Sequence, residues 1–209
     1  MIQPNAETVT LMPATSQHPT LAAELIHATE PHIFGYLHGH DMNLVHSHLG
    51  HQWQQAEGIF SHRHCTAAMV GEDLVGIELG FDAAQQEAAT GPFIEHAMAF
   101  LDEAQFAHLA GWFEHGRFVL PAVPDDAWYL QHLAVVDAAR GRGVGERLLA
   151  NAIERVRSDG YTSMHLDLFA ENPALRLYER MGFRVIAETL VRPLVAHGIP
   201  LHYRMVLAL

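Results

Sequence analysis

A run of glycines and arginines, Arg140-Gly141-Arg142-Gly143-Val144-Gly145, sits between an apolar stretch, Trp128 to Val136, and an amphipathic one, Glu146 to Ser158. Glycines let a backbone turn sharply and aim successive N–H groups into one concavity. A helix beginning near Gly145 adds its unpaired first-turn N–H groups and the positive end of its dipole. Together these form a cradle for a pyrophosphate, to which Arg140 and Arg142 can add charge-assisted hydrogen bonds. The three-glycine spacing of a dinucleotide fingerprint is absent, and so is the Gly-Lys-Ser/Thr ending of a P-loop. The chain around this turn must therefore run strand, tight loop, helix.

Hydrophobic spacing supplies the rest of the framework. Thr8 to Met12 alternates as a strand does, and Pro13 ends it. Pro19 to Thr29 and Asp41 to Gly58 read as helices, the second with Asp41 as its N-cap. Thr66 to Val70 and Leu74 to Phe81, parted by Gly71-Glu72-Asp73, predict a β-hairpin. From Gly91 to His115 apolar residues recur at helical spacing, which predicts one or two helices before the loop Pro121 to Asp126. Further strands are expected over Trp128–Val136, Tyr161–Phe169, Phe183–Val191 and His202–Leu209, with helices over Glu146–Ser158 and Asn172–Met181. The result is a mixed α/β chain.

With 209 residues, 49% hydrophobic and 17% charged, the chain suits one packed domain. No apolar run approaches the roughly 20 residues that cross a bilayer, and Met1 to Glu7 lacks the pattern of a signal peptide. A cytoplasmic protein with no membrane partner is expected. Cys65 is the single cysteine, so no internal disulfide framework exists. Charge is distributed unevenly. Residues 1–139 hold two arginines against seventeen acidic residues, a net of −15, whereas residues 140–209 hold ten arginines against seven, a net of +3. Lysine is absent throughout. An acidic chain is poorly suited to nucleic acid; the split suits an anion held by the C-terminal half and, unless it is only a solvated surface, an amine-bearing partner near the N-terminal half. Seventeen histidines, nine of them from His27 to His64, show no zinc-like spacing with cysteine. They read as scattered surface residues, and no metal site is expected.

A second motif follows the cradle: Asn172-Pro173-Ala174-Leu175-Arg176-Leu177-Tyr178-Glu179-Arg180-Met181-Gly182-Phe183. With Leu133-Ala134-Val135 and Arg140-x-x-Gly143-x-Gly145 before it, the segment from Trp128 to Val191 resembles the GNAT (GCN5-related N-acetyltransferase) superfamily. The resemblance implies a mixed, mostly antiparallel central sheet flanked by helices, with residues 83–127 a helical insertion before the central strand and 128–191 the acetyl-CoA-binding core of one domain, 1–209. It implies acetyl-CoA as cosubstrate, and transfer of an acetyl group to the amine of a small molecule or peptide by direct attack through a tetrahedral intermediate. A non-catalytic acyl-CoA-binding sensor would carry the same cradle.

The resemblance also implies roles. The backbone of Leu133, Ala134 and Val135 would pair with the pantetheine arm, as in strand addition. Residues Arg140, Gly141, Arg142, Gly143, Val144 and Gly145 would hold the pyrophosphate. Asn172 would reach the pantetheine arm or cap a helix, and Tyr178 would stand beside the thioester sulfur or pack in the core. A primary amine of pKa about 10.4 costs about 4.6 kcal/mol to neutralise at pH 7, so a base is needed, and Tyr178 could protonate the leaving thiolate. Glu78, an acid among Leu74, Val75, Ile77 and Leu79, is the first candidate base, unless it faces solvent on an edge strand. His132 and Asp167 are the others. The insertion, with Trp112 and Phe113, would cover the acceptor site, add to the core or form a homodimer surface.

Overall fold

The computed structural model describes residues 9–209; Thr8 of the expected first strand and the segment Met1 to Glu7 lie outside them. Chain order is β1 (Thr10–Pro13), α1 (Pro19–Thr29), α2 (Pro31–Leu37), α3 (Met42–Gln54), β2 (Cys65–Val70), β3 (Asp73–Asp82), α4 (Ala83–Phe100), α5 (Glu103–Ala110) and α6 (Trp112–Val119). Then come β4 (Ala127–Val135), α7 (Val144–Ser158), β5 (Ser163–Phe169), α8 (Leu175–Arg180), β6 (Arg184–Thr189), α9 (Arg192–Val195) and β7 (His202–Ala208). As expected, a mixed fold results, with helices on both faces of a mostly antiparallel sheet and a helical insertion before the central strand.

Local chemistry sets many of the boundaries. Asp41 Oδ1 accepts from the N–H groups of Asn43 and Leu44 and starts α3. The insertion holds three helices where the spacing predicts one or two. Capping boxes at Asp82/Gln85 and Asp102/Gln105 start α4 and α5 separately, and Gly111 separates α5 from α6. The short α2 and α9 have no counterpart among the expected elements; each carries a proline in its first turn.

Among the described residues, seven strands form one sheet in the order β1-β2-β3-β4-β5-β7-β6, and only β4 and β5 run parallel. That parallel pair is short. Ala127, Trp128 and Tyr129 face Ser163, Met164 and His165, and there the pairing stops. A bulge lies just beyond, because Leu79 faces His132 while Gly80 faces Leu130, which leaves Gln131 as an extra residue in β4. From Leu130 to Val135, β4 stays paired with β3 but, among the described residues, has no partner strand on its other edge. One face of the sheet packs Ile77, Leu79 and Phe81 against Ile26, Leu49 and Trp53 of α1 and α3. The opposite face packs Trp128, Leu130 and Met164 against Leu149, Ala152 and Val156 of α7. The two strands therefore diverge in the middle of the molecule, with a filled core on either side.

Candidate active site

A cavity of about 560 Å³ opens where β4 and β5 part. One wall is Leu130 to Val135 except His132, the other Leu166 to Phe169. The glycine turn closes one end, α8 contributes Leu177 and Tyr178, and the C-terminal end of α1 reaches in with Ala28, Thr29 and Glu30. The sequence motifs that lie far apart along the chain thus meet around one space.

The turn has the geometry of an anion cradle. Gly141 and Gly143 adopt φ of 72° and 78°, and a Cβ on either would meet open space. Among the described residues, the N–H groups from Gly141 to Glu146 have no acceptor in the chain; the first helical bond of α7 runs from the Arg147 N–H to the Gly143 carbonyl at 3.0 Å. A Cβ on Gly145 would lie 3.6 Å from Val135 and 3.7 Å from Leu177, so the helix start sits close to β4 and α8. Arg140 lines the cavity but is bonded locally, its Nε to the Val135 carbonyl at 3.3 Å and its Nη1 to Asp137 at 2.8 Å. Arg142 is exposed and is not part of the lining.

Asn172 stands at the entrance to α8. Its Oδ1 accepts from the Ala174 N–H at 2.9 Å, and its Nδ2 approaches the Thr29 carbonyl at 3.5 Å. Tyr178 lines the cavity with its ring packed edge-on to Phe183, 5.7 Å between centroids. Burial, reinforced by the charge of Glu30, pushes the Tyr178 hydroxyl well above the ordinary tyrosine pKa, so it stays protonated near neutral pH.

The three candidate bases fall in different places. Glu78 is fully buried, but on the α7 face of the sheet, away from the cavity. Both of its carboxylate oxygens lie 3.1 Å from Arg155 Nη2. Its burial is explained by that pair, and the residue expected to serve as the base stands outside the cavity lining. Asp167 lines the cavity wall, yet both oxygens are engaged: Arg204 Nε and Nη2 donate at 2.7 Å each, and the Tyr129 hydroxyl donates at 3.0 Å. His132 is buried between Phe34 and Phe60, and burial drives its pKa down to about 3.

Glu30 lies outside both sequence motifs. It sits between α1 and α2, lines the cavity, and holds Oε2 3.1 Å from His202 Nε2 on β7. His202 Nδ1 donates to the Pro200 carbonyl at 2.9 Å. Burial raises the Glu30 pKa against the pull of His202; for His202 burial works the other way, but Glu30, the Pro200 carbonyl and Asp167 together outweigh it and the imidazole pKa also rises. Each partner holds a proton more tightly than it would in water, and the pair titrates as a unit.

The histidines are less superficial than expected. His38 and His48 are buried and 2.9 Å apart, and His27 contacts His46 at 3.2 Å. Among the described residues no group of three or more His, Cys, Asp or Glu side chains is placed to hold a metal, and no helix is long and apolar enough to cross a membrane.

Residues 102–185 match the family model for the acetyltransferase (GNAT) domain. An acetyltransferase of Agrobacterium fabrum is 46% identical over 59 residues, which is 28% of this chain and 42% of that relative. The match therefore spans less than half of the relative's length. Among solved structures, an N-acetyltransferase from Staphylococcus aureus Mu50 superposes with a TM-score of 0.70 at 16% identity, over 95% of this chain and 100% of that one. A Bacillus subtilis acetyltransferase in complex with CoA gives 0.53 at 16% identity, over 96% and 97%.

Proposed function

We propose that the chain, whose residues 102–185 match the acetyltransferase (GNAT) domain, is an acetyltransferase of that superfamily and transfers an acetyl group from acetyl-CoA to an amine. The observation that carries this reading is the open edge of β4, Leu130 to Val135, running directly into a turn whose six successive N–H groups lack partners. The first suits the peptide-like amides of a pantetheine arm, the second a pyrophosphate. Acetyl-CoA supplies an activated thioester when bound.

The remaining work falls to side chains. Leu133, Ala134 and Val135 hold the arm by their backbone, and Asn172, already fixed by the Ala174 N–H, borders its path. The Glu30–His202 pair receives a proton from the attacking nitrogen, taking over the role first expected of Glu78. Tyr178 delivers a proton to sulfur as the carbon–sulfur bond breaks, a task for which a hydroxyl that resists ionisation is suited.

Replacing Tyr178 with Phe tests the reading. Thiol release with the best available amine should slow by about 10²–10⁴-fold, the usual contribution of a general acid, while calorimetric affinity for CoA stays close to wild type. An unchanged kcat would reduce Tyr178 to a packing residue.

A further inference from the structure

A smaller pocket of about 140 Å³ opens off the cleft, and the two share Glu30, Gln131 and Asp167. Its walls are mostly apolar: Ile33 and Phe34 from α2, Phe60, and Phe93, Leu109 and Trp112 from the insertion. Polar atoms gather at the shared end. Thr29 Oγ1 lies 2.8 Å from the Ile26 carbonyl and 2.7 Å from His132 Nδ1. A hydroxyl has one hydrogen and a carbonyl only accepts, so Thr29 donates to Ile26 and His132 Nδ1–H donates to Thr29. That assignment leaves the lone pair of His132 on Nε2, which is buried and meets no partner among the described residues. Gln131 Oε1, on the bulge, is also buried without a partner. Interiors rarely leave such acceptors unmet. With the Glu30 carboxylate they are the acceptors that the pocket lining offers, because the Asp167 oxygens already serve Arg204 and Tyr129.

We propose that this pocket holds the body of the acceptor, a primary amine borne on one small apolar ring, with its nitrogen at the Glu30–Gln131–His132 end facing the cleft. The proposal rests on the acetyl-transfer reading and narrows it. An amine nitrogen brings only donors to the three acceptors. The volume fits one ring, since an apolar cavity of roughly 150 Å³ holds a single benzene. Among the described residues, the cationic groups near that end are committed, Arg204 to Asp167 and His202 to Glu30, so a carboxylate beside the amine would find no free partner. The second ammonium of a diamine would lie against apolar walls.

The test uses the full chain, acetyl-CoA and three amines: 2-phenylethylamine, phenylalanine and putrescine. Expected is a kcat/KM for phenylethylamine about 10–200-fold above the other two, the range a hydrophobic pocket delivers. Trp112→Ala should raise KM for phenylethylamine and leave the affinity for CoA, measured by calorimetry, as it was. Leu109→Trp, which fills the same space without opening a cavity, should do the same if Trp112→Ala does not fold. Preference for putrescine or phenylalanine, or no turnover of any amine while CoA still binds, overturns the pocket assignment and leaves the donor site standing. Absence of CoA binding overturns both.

Discussion

Glu30 and Glu78 show how far residue type carries and where it stops. Both are buried acids, but burial alone does not separate a proton acceptor from half of an ion pair. Glu78 stands out in the sequence as an acid in an apolar strand, and the structure accounts for it with Arg155, a residue 77 positions away that periodicity cannot pair with it. Glu30 gave no such signal, because it lies at a helix boundary where acids are common. The two residues predict opposite outcomes on substitution. Glu30→Gln removes the titrating carboxylate at the cleft, so turnover should fall by about 10²–10⁴-fold. In the wild type, kcat/KM should fall as pH drops through the raised pKa of the Glu30–His202 pair, and in Glu30→Gln that acid limb should flatten. Glu78→Gln should cost stability instead. Stranding a fully buried charge costs about 3–5 kcal/mol; since the Arg155 side chain is 37% exposed, about 1–3 kcal/mol is expected here. Melting curves and steady-state kinetics on both variants check this. A Glu78→Gln enzyme that melts like wild type but has lost its turnover would return the base to Glu78.

At the scale of elements, the C-terminal half was legible because its signals are local. A glycine turn, an amphipathic helix and apolar strands each declare themselves within some fifteen residues, and α7 and β7 fall close to where spacing puts them. The bulge at Gln131 was not legible. Its cause lies across the sheet, where Gly80 faces Leu130 and a Cβ on Gly80 would come 2.6 Å from both the Tyr129 carbonyl oxygen and Trp128 Nε1. That close approach needs glycine on β3, and no inspection of β4 alone reveals it. The break between α4 and α5 was likewise hidden, because apolar spacing runs on through Leu101 while the Asp102/Gln105 capping box ends one helix and begins the next. Gly80→Ala is therefore expected to destabilise by about 1–3 kcal/mol, as overpacking does, with a Tm lower by about 2–4 °C for each kcal/mol. Because the bulge sets where β4 leaves β5, the same variant should bind CoA more weakly. A thermal melt and a CoA titration measure the two effects. Wild-type values in both would mean that the strand absorbs the methyl and that Gly80 does not fix the bulge.

Across the whole molecule, the charge division follows the architecture. The acidic N-terminal portion supplies most of the walls of the ring-sized pocket, and the arginine-bearing portion supplies the cradle, which suits the proposed placing of amine and pyrophosphate apart from one another. The histidines add a dependence on acidity. Burial, helped for His48 by the charges of His38 and His51, lowers the pKa of His48 to about 3, and burial alone takes His132 to the same value, against an ordinary 6.5. Between those limits the unfolded chain binds more protons than the folded one. Stability contributed by these two groups is therefore fully present above pH 6.5 and is lost as pH falls toward 3. At pH 5 each withholds a proton it would accept if unfolded, which costs about 2 kcal/mol per group at 1.36 kcal/mol per pH unit. The sum is a large part of the 5–15 kcal/mol that holds a typical domain. Glu30, Glu78 and His202, with raised pKa values, act in the opposite sense and soften the slope. Net charge also falls from −12 toward zero near pH 5.7, which relieves repulsion but invites association. Dilute samples melted from pH 7.5 to 5 should lose roughly 10 °C in Tm, at about 2–4 °C per kcal/mol. His48→Gln can still bond to His38 and Gln52 but cannot titrate, so its Tm should fall by visibly less over the same range. A Tm independent of pH, or an unchanged slope in His48→Gln, would show that these buried rings do not set the acid limit of the fold.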